Sequence, residues 1–352
     1  MSTASPPGHN IQAPAELLRL SAGAWVSQAI AVAAKLRLAD LMTDGSRSVD
    51  ELARETATHS PSLYRLLRAL AGVGVFAEDE QGQFGLTPLA AGLRSDISGS
   101  VRALCEMRGE PWYWGAWGEL LYSVRTGETA FNQVHGKDLF TFLEQDPAAL
   151  SLFAQAMGSL SGTEIAAILA AYDFSPASTV IDVGGGHGVL LAAILQANPG
   201  VRGILFDRPV AVARARGVLE SAGIAGRCEV LGGSFFDAVP EGGDIYILKS
   251  VIHDWDDDRA AAILRSCRRT MDVDARLLLI ERVIPPGNTP ALGKWMDLNM
   301  LVAAGGRERT EVEYRLLCAQ AGFELTRLVP TAVEVSLIEA APSTEPDGSA
   351  AS

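Results

Sequence analysis

Val180-Ile181-Asp182-Val183-Gly184-Gly185-Gly186-His187-Gly188 is the stretch that decides the fold. Apolar, β-branched residues run into glycines, and HGVLLAAILQANP follows as a helical segment ended by Asn198-Pro199. β-Branched residues favour a strand, and Asn-Pro stops a helix. A strand that meets a helix through glycines marks the carboxyl edge of a sheet, where open α/β sheets bind ligands. Glycines there let the backbone approach a ligand closely.

The same alternation continues on the carboxyl side. VRGILFD reads as a strand, RPVAVARARGVLESAG as one helix closed by glycine, and RCEVLGGSF, GGDIYILKS and ARLLLIERV as further strands. A helix over DDDRAAAILRSCRRTM separates the last two. Short apolar strands alternating with helices predict a parallel sheet covered on both faces. The end, TEVEYRLLCAQAGFELTRLVPTAVEVSLIEA, adds a helix and two strands around Pro330, a hairpin that makes one sheet edge antiparallel.

Asp207 closes the strand ILFD. A carboxylate there can accept both hydroxyls of a ribose. A dinucleotide fits poorly, because G-x-G-x-x-G/A would need Gly or Ala where Val189 stands. S-adenosylmethionine has a ribose, no pyrophosphate and a sulfonium cation. It suits Asp207 and a chain whose formal net charge is −13. The same charge repels phosphate backbones and anionic lipid, so neither nucleic acid nor membrane is expected as a partner.

Before residue 170 the signals are helical. Leu17, Leu18, Trp25, Ile30, Leu36, Leu38 and Leu41 form long apolar faces at helical spacing. Ser48 with Glu51 makes a capping box, and a second helix starts at Ser60-Pro61 and runs as LYRLLRALAGVGVF to Phe76. EDEQGQFGLTP reads as a β-ribbon with a Gln-Gly turn, which completes a winged-helix pattern. The apolar stretch Ala22 to Ala34 is too short to span a bilayer. The four cysteines are scattered, with no C-x-x-C, so neither a disulfide framework nor a structural zinc site is expected. With no basic leader at the start, the expected location is the cytoplasm.

VIDVGGGHG, FDRP, GGSFFDAVP, LKSVIHDWDDD, IERVIP and GGRERT occur in an order and spacing that resemble one family. These are small-molecule O-methyltransferases, in which a class I methyltransferase domain is joined to a helical, winged-helix-like dimerisation domain. Plant caffeic acid O-methyltransferases and bacterial enzymes that tailor phenazines and polyketides belong to it. The resemblance implies an α/β fold: a Rossmann-like domain with a mostly parallel sheet and an antiparallel edge hairpin, plus a mainly α-helical winged-helix-like dimerisation domain. The expected division is a tail over 1–14, the dimerisation domain over 15–110, a helical, substrate-lining segment over 111–170, the methyltransferase domain over 171–341 and a tail over 342–352.

The resemblance also assigns residues. His253 matches the family's general base, and Glu281 and Glu308 match the two glutamates that flank it. Gly184, Gly185, Gly186, Asp207, Ser234, Phe235, Lys249 and Ser161 fall on cofactor positions. Phe153, Met157, Asp254, Trp255, Asp297, Asn299 and Met300 fall on acceptor positions. Ser234 stands where the family often has an acidic residue. Trp112, Trp114 and Trp117 either line an aromatic pocket or pack a core helix. The implied cofactor is S-adenosyl-L-methionine, leaving as S-adenosyl-L-homocysteine, with no metal. The implied acceptor is a small aromatic hydroxyl, and the implied assembly is a homodimer through the N-terminal domain.

The chemistry explains why such residues are needed. A neutral phenol is a poor nucleophile, with a pKa near 10 against roughly 6.5 for histidine, so full deprotonation costs roughly 5 kcal/mol. A histidine that takes the proton as the new bond forms avoids much of that, typically about 10² to 10⁴ in rate. It needs a partner that fixes its tautomer. Three other readings compete. A winged-helix DNA-binding regulator would need a basic stripe, yet Arg54, Arg65 and Arg68 lie among Asp50, Glu51 and Glu55. An enzyme of this fold drifted to decarboxylation or hydroxylation would not need the histidine with both glutamates. A nicotinamide-dependent dehydrogenase founders on Val189.

Overall fold

The structure is a computed structural model that describes residues 12–343 apart from 98 and 214, without the side chains of residues 12, 160, 161 and 163. Two compact units stand out: residues up to Trp114 together with Asp146–Leu160, and Gly115–Gln145 together with the chain from Ser161 on.

In the first unit, helices Gln12–Ser21 and Gly23–Lys35 open the described chain, so helix already covers residues 12 to 14, which the sequence reads as tail. Three short strands follow: β1 (Arg47–Ser48), β2 (Phe76–Glu78) and β3 (Gln83–Leu86). Ser48 caps helix Val49–Glu55 as expected. Its hydroxyl accepts from the Glu51 N–H, and the Glu51 carboxylate accepts from the Ser48 N–H at 3.0 Å. The next helix, Ser60–Gly72, stops short of Phe76, which instead begins β2. Gly74, with φ of +78°, turns the chain between them, a conformation glycine adopts without strain. The Gln81-Gly82 turn is pinned by Asp79 Oδ1, which accepts from the N–H groups of Gln81 and Gln83. β1 also pairs with β3, giving a three-stranded wing in the order β1-β3-β2. Leu38, Leu52, Leu67, Phe76 and Phe84 fill the core of this unit. Leu17, Leu18 and Trp25 stay exposed; Trp25 keeps 79% of its surface. Ala13–Lys35, and helix Pro147–Ala171 further on, are long and apolar enough to cross a membrane by length and composition. The first exceeds the Ala22 to Ala34 stretch that the sequence marks as apolar, but Ala22 separates its two helices.

The second unit is built on β4 (Thr179–Val183), β5 (Arg202–Asp207), β6 (Cys228–Gly232), β7 (Ile245–Lys249), β8 (Arg276–Ile284), β9 (Arg309–Thr310), β10 (Phe323–Pro330) and β11 (Val335–Pro342). Their order is β10-β11-β8-β7-β4-β5-β6, with β9 paired to β8. Pairings among β4 to β9 are parallel, whereas β8 with β11 and β11 with β10 are antiparallel. The edge hairpin expected from the last two strands is therefore present. Side chains alternate between two buried layers, as a period of two requires. Ile181, Tyr246, Leu248, Leu277 and Leu279 face one layer, with helices Asp257–Thr270 and Glu311–Gln320. Val180, Leu205, Ile247, Leu278 and Ile280 face the other, with helix Val189–Ala197. The stretch read as one helix after β5 is two shorter ones, Pro209–Val212 and Ala215–Ser221.

Candidate active site

The parallel strands deliver their carboxyl ends to one rim. After β4 the chain turns through Gly184, Gly186 and Gly188, all at positive φ (+75°, +58° and +76°). Side chains could not replace these glycines freely. A Cβ on Gly184 would lie 2.7 Å from Val251 Cγ2, and one on Gly185 would lie 2.5 Å from the Asp182 carboxyl. A Cβ on Gly186 would meet nothing within 4 Å, so this peptide borders open space. Asp207, at the end of β5, reaches it: Oδ2 accepts from the Gly186 N–H at 2.8 Å and Oδ1 from the Arg208 N–H at 2.6 Å. Phe235 brings an aromatic ring to 3.7 Å from the same Gly184 Cβ position. Glycine backbone, a carboxylate and an aromatic face form a cradle that fits a nucleoside bearing a cation.

Two neighbours qualify the cradle. Asp182, buried behind the loop, was not singled out from the sequence. Burial and the Asp207 charge push its carboxyl up to about 7, while Lys249 pulls it down. Its signal was present in VIDVGGG: a charged residue in an otherwise apolar strand. Lys249 closes β7, and its ammonium is held by Glu164 at 2.6 Å. Arg282 Nη2 donates to the other Glu164 oxygen at 2.9 Å. Ser234 Oγ accepts from the Phe236 N–H at 3.3 Å. Ser161 lies on helix Pro147–Ala171, and its side chain is outside the described set.

The second group gathers one imidazole and three carboxyl groups. His253 sits in a 3-10 turn, Ile252–Asp254, just past β7. Its Nδ1 is 3.0 Å from Glu308 Oε1 and 3.7 Å from Glu281 Oε2. An ionised carboxylate there can only accept, which in the neutral ring keeps the proton on Nδ1 and leaves Nε2 free to take one. Glu281 rises from the middle of β8, and its Oε1 accepts from the N–H groups of Val251 (3.0 Å) and Ile252 (2.9 Å). Glu308 donates its own N–H to Asp297 Oδ1 at 3.0 Å. Asp254 Oδ1 is 3.6 Å from His253 Nε2. Glu281 and Glu308 are buried, and Oε2 of each has no hydrogen-bond partner among the described residues.

Electrostatics follow from that crowding. Burial alone would lower the His253 pKa, but Glu281, Asp254 and Glu308 outweigh it and carry it up to about 10. Burial pushes Glu281 up to about 7, against the pull of His253. Burial likewise raises Asp254 and Asp297.

The expected acceptor residues are partly brought together. Trp255 packs edge-on against Phe236, with ring centres 4.9 Å apart, and lies 6.1 Å from Phe235. Asn299 Oδ1 accepts from Trp117 Nε1 at 3.1 Å, and Met300 is buried on the same helix, Leu292–Ala303. The Trp117 bond places that tryptophan beside a candidate acceptor residue. Trp112 is half-buried and lies edge-on to its neighbour Tyr113. Phe153 and Met157 are half-buried in the first unit.

Residues 117–324 match the O-methyltransferase domain, and residues 18–96 match the O-methyltransferase dimerisation domain. The chain belongs to the O-methyltransferase family. It is 47% identical over 326 residues to a phenazine O-methyltransferase of Lysobacter antibioticus, covering 93% of this chain and 95% of that protein. The structure of a mitomycin 7-O-methyltransferase superposes with a TM-score of 0.88 at 40% identity, over 96% of this chain and 100% of the other. An O-methyltransferase from neocarzinostatin biosynthesis, solved with S-adenosylmethionine and 2-hydroxy-5-methyl naphthoic acid, matches at 0.78 and 36% identity, over 90% and 96%. One relative, a phenazine-1-carboxylate N-methyltransferase of Pseudomonas aeruginosa, is 34% identical over 94% of this chain and 98% of that protein. This O-methyltransferase thus uses S-adenosylmethionine, and its relatives serve bacterial secondary metabolism.

Proposed function

We propose that this O-methyltransferase methylates a hydroxyl of a small aromatic metabolite in a biosynthetic pathway of that kind, with His253 as general base. The observation that carries the proposal is the His253 Nδ1–Glu308 contact at 3.0 Å, which leaves Nε2 as the proton acceptor. Glu308 fixes the tautomer. Glu281 holds the start of the turn through two backbone N–H groups and adds negative charge. A base carried up to about 10 matches a phenol, whose pKa is near 10, so proton transfer between them is nearly level. The cost moves to an earlier stage, because His253 must first be neutral.

Gly184, Gly185, Gly186, Asp207, Ser234, Phe235 and Ser161 hold the cofactor. Lys249, with its ammonium on Glu164, contributes through its stem or backbone. Bound there, S-adenosylmethionine supplies an electrophilic methyl group and a positive charge that works against the imidazolium. Asp254, Trp255, Asp297, Asn299 and Met300 face the acceptor, and the resemblance alone assigns Phe153 and Met157 to it. The exposed Leu17, Leu18 and Trp25 face a second copy of the chain in a cytoplasmic homodimer.

The N-methylating relative raises a second reading, an aromatic nitrogen as acceptor. A neutral amine is already nucleophilic and needs no base before it attacks. Screening phenols and aryl amines against the parent enzyme and His253→Ala separates the two. A phenolic substrate whose turnover falls at least about 10²-fold in the variant supports hydroxyl methylation. Turnover of amines alone, indifferent to His253, overturns it. His253, Glu281 and Glu308 also bring donor atoms within 4.8 Å of one another, a spacing that could hold a cation. Full turnover after exhaustive chelation is expected; a loss restored by one divalent metal would assign these residues to that metal instead.

A further inference from the structure

Two motifs surround the histidine without acting on it: the acidic run after Trp255 and the arginines of GGRERT. We propose that Arg309 is a positioning residue, whose guanidinium clamps the backbone on either side of His253 and so aims its ring. The proposal rests on His253 being the base.

Arg309 has no exposed surface. Its Nη1 donates to the Ile252 carbonyl at 3.1 Å, and its Nη2 donates to the Trp255 carbonyl at 2.9 Å. Those two carbonyls bracket the His253-Asp254 dipeptide. The remaining N–H groups are also placed: Nε donates to Asp257 Oδ1 at 2.9 Å, Nη2 reaches the same oxygen at 2.7 Å, and Nη1 points at the Arg307 carbonyl at 3.4 Å. Five donors thus find acceptors, which a buried cation requires. A lysine offers three donors from a single point and cannot span two carbonyls and a carboxylate.

The turn needs such support. It follows Ser250, a non-glycine residue at φ +53°, and it is one short 3-10 turn with long internal hydrogen bonds of 3.2 and 3.3 Å. Regular structure therefore does little to fix the ring. The segment before Arg309 grips the same place: the Arg307 N–H donates to the His253 carbonyl at 2.8 Å, and a Cβ on Gly306 would sit 1.9 Å from that oxygen. Asp257, at the start of helix Asp257–Thr270, is the outer anchor.

The test compares Arg309→Lys and Asp257→Ala with the parent by three readouts: kcat against acceptor KM, calorimetric affinity for S-adenosylhomocysteine, and the titration of the His253 ring by ¹⁵N-histidine NMR, assigned with His253→Gln. A misaimed reacting group can cost about 10²-fold, so Arg309→Lys is expected to lose roughly that much kcat. KM and cofactor affinity are expected to stay within about threefold, and the His253 ring to titrate at lower pH as its contact with Glu308 loosens. Asp257→Ala removes only the half-exposed outer anchor, and is expected to show the same pattern at about fivefold. If Arg309→Lys does not fold, Asp257→Ala decides by itself. Folded variants with parental kcat and parental His253 titration overturn the clamp. So does a general loss of melting temperature and kcat with the His253 titration unmoved, which is what a merely structural arginine would give. Should His253→Ala turn over normally, the base assignment falls, but the NMR titration still reports whether Arg309 holds the ring.

Discussion

The two halves of the rim are built on opposite principles. The cradle around Gly184, Gly186 and Asp207 works by subtraction: side chains are missing where a ligand must approach, and the Asp207 carboxylate is already paired with backbone N–H groups. The His253 group works by crowding. Three carboxyl groups surround one imidazole, and two of their oxygens are buried without a hydrogen-bond partner among the described residues. The cradle meets charge as well, through Asp207 and the Asp182 carboxyl behind it, but its first demand is space. A crowded cluster changes its protonation whenever anything charged comes near.

The sharpest way to break the comparison is to cross the two mutations that define it. His253→Ala should lower turnover at least about 10²-fold and leave S-adenosylhomocysteine affinity nearly unchanged. Asp207→Ala should do the reverse and mainly weaken that affinity by calorimetry. If both mutations hit both quantities equally, the two halves act as one unit. Next in size is Gly306→Ala, whose methyl would have to displace the His253 carbonyl 1.9 Å away. It should cost about tenfold or more in kcat, with cofactor affinity intact. A smaller, directional effect is expected from Glu308→Gln, which keeps a hydrogen-bond acceptor for Nδ1 but removes one charge that raises the His253 pKa. The active form is neutral histidine, so the rate climbs as pH rises through that pKa. Lowering the pKa moves the acid limb of the pH–rate profile to lower pH, and a limb that stays put separates the profile from His253. The smallest effect belongs to the cradle. Ser234→Asp restores the acidic residue common in the family and should tighten S-adenosylhomocysteine binding a few-fold, since charge-assisted hydrogen bonds are roughly twice as strong as neutral ones.

The two halves also differ in how far they could be read from sequence. The cradle is local: VIDVGGG and ILFD are contiguous, and each is a strand ending in residues that punctuate it. The sheet, its covering helices and the edge hairpin were legible for the same reason, through alternation and turn residues. The His253 cluster gathers three segments, at 253, 281 and 308, and nothing in the periodicity joins them. Only the resemblance placed Glu281 and Glu308 beside His253. Glu164 shows what stayed out of reach. It lies mid-helix among alanines and isoleucines, yet it pairs with both Lys249 and Arg282 from 85 and 118 positions away. The break in the helix after Asp207 was also missed, since RPVAVARARGVLESAG shows no glycine or proline between Pro209 and Gly217.

The crowded carboxyl groups bear on how this protein can be changed. A buried carboxylate oxygen without a donor among the described residues, such as Oε2 of Glu281, weighs against the folded state, and neutralising that carboxyl relieves its desolvation cost. A screen that selected variants by heat resistance alone would be drawn to Glu281 and would return robust proteins in which the proposed base has lost a neighbouring charge. Heat-resistant variants that stay active should instead carry their changes in the loops away from the rim and away from Leu17, Leu18 and Trp25.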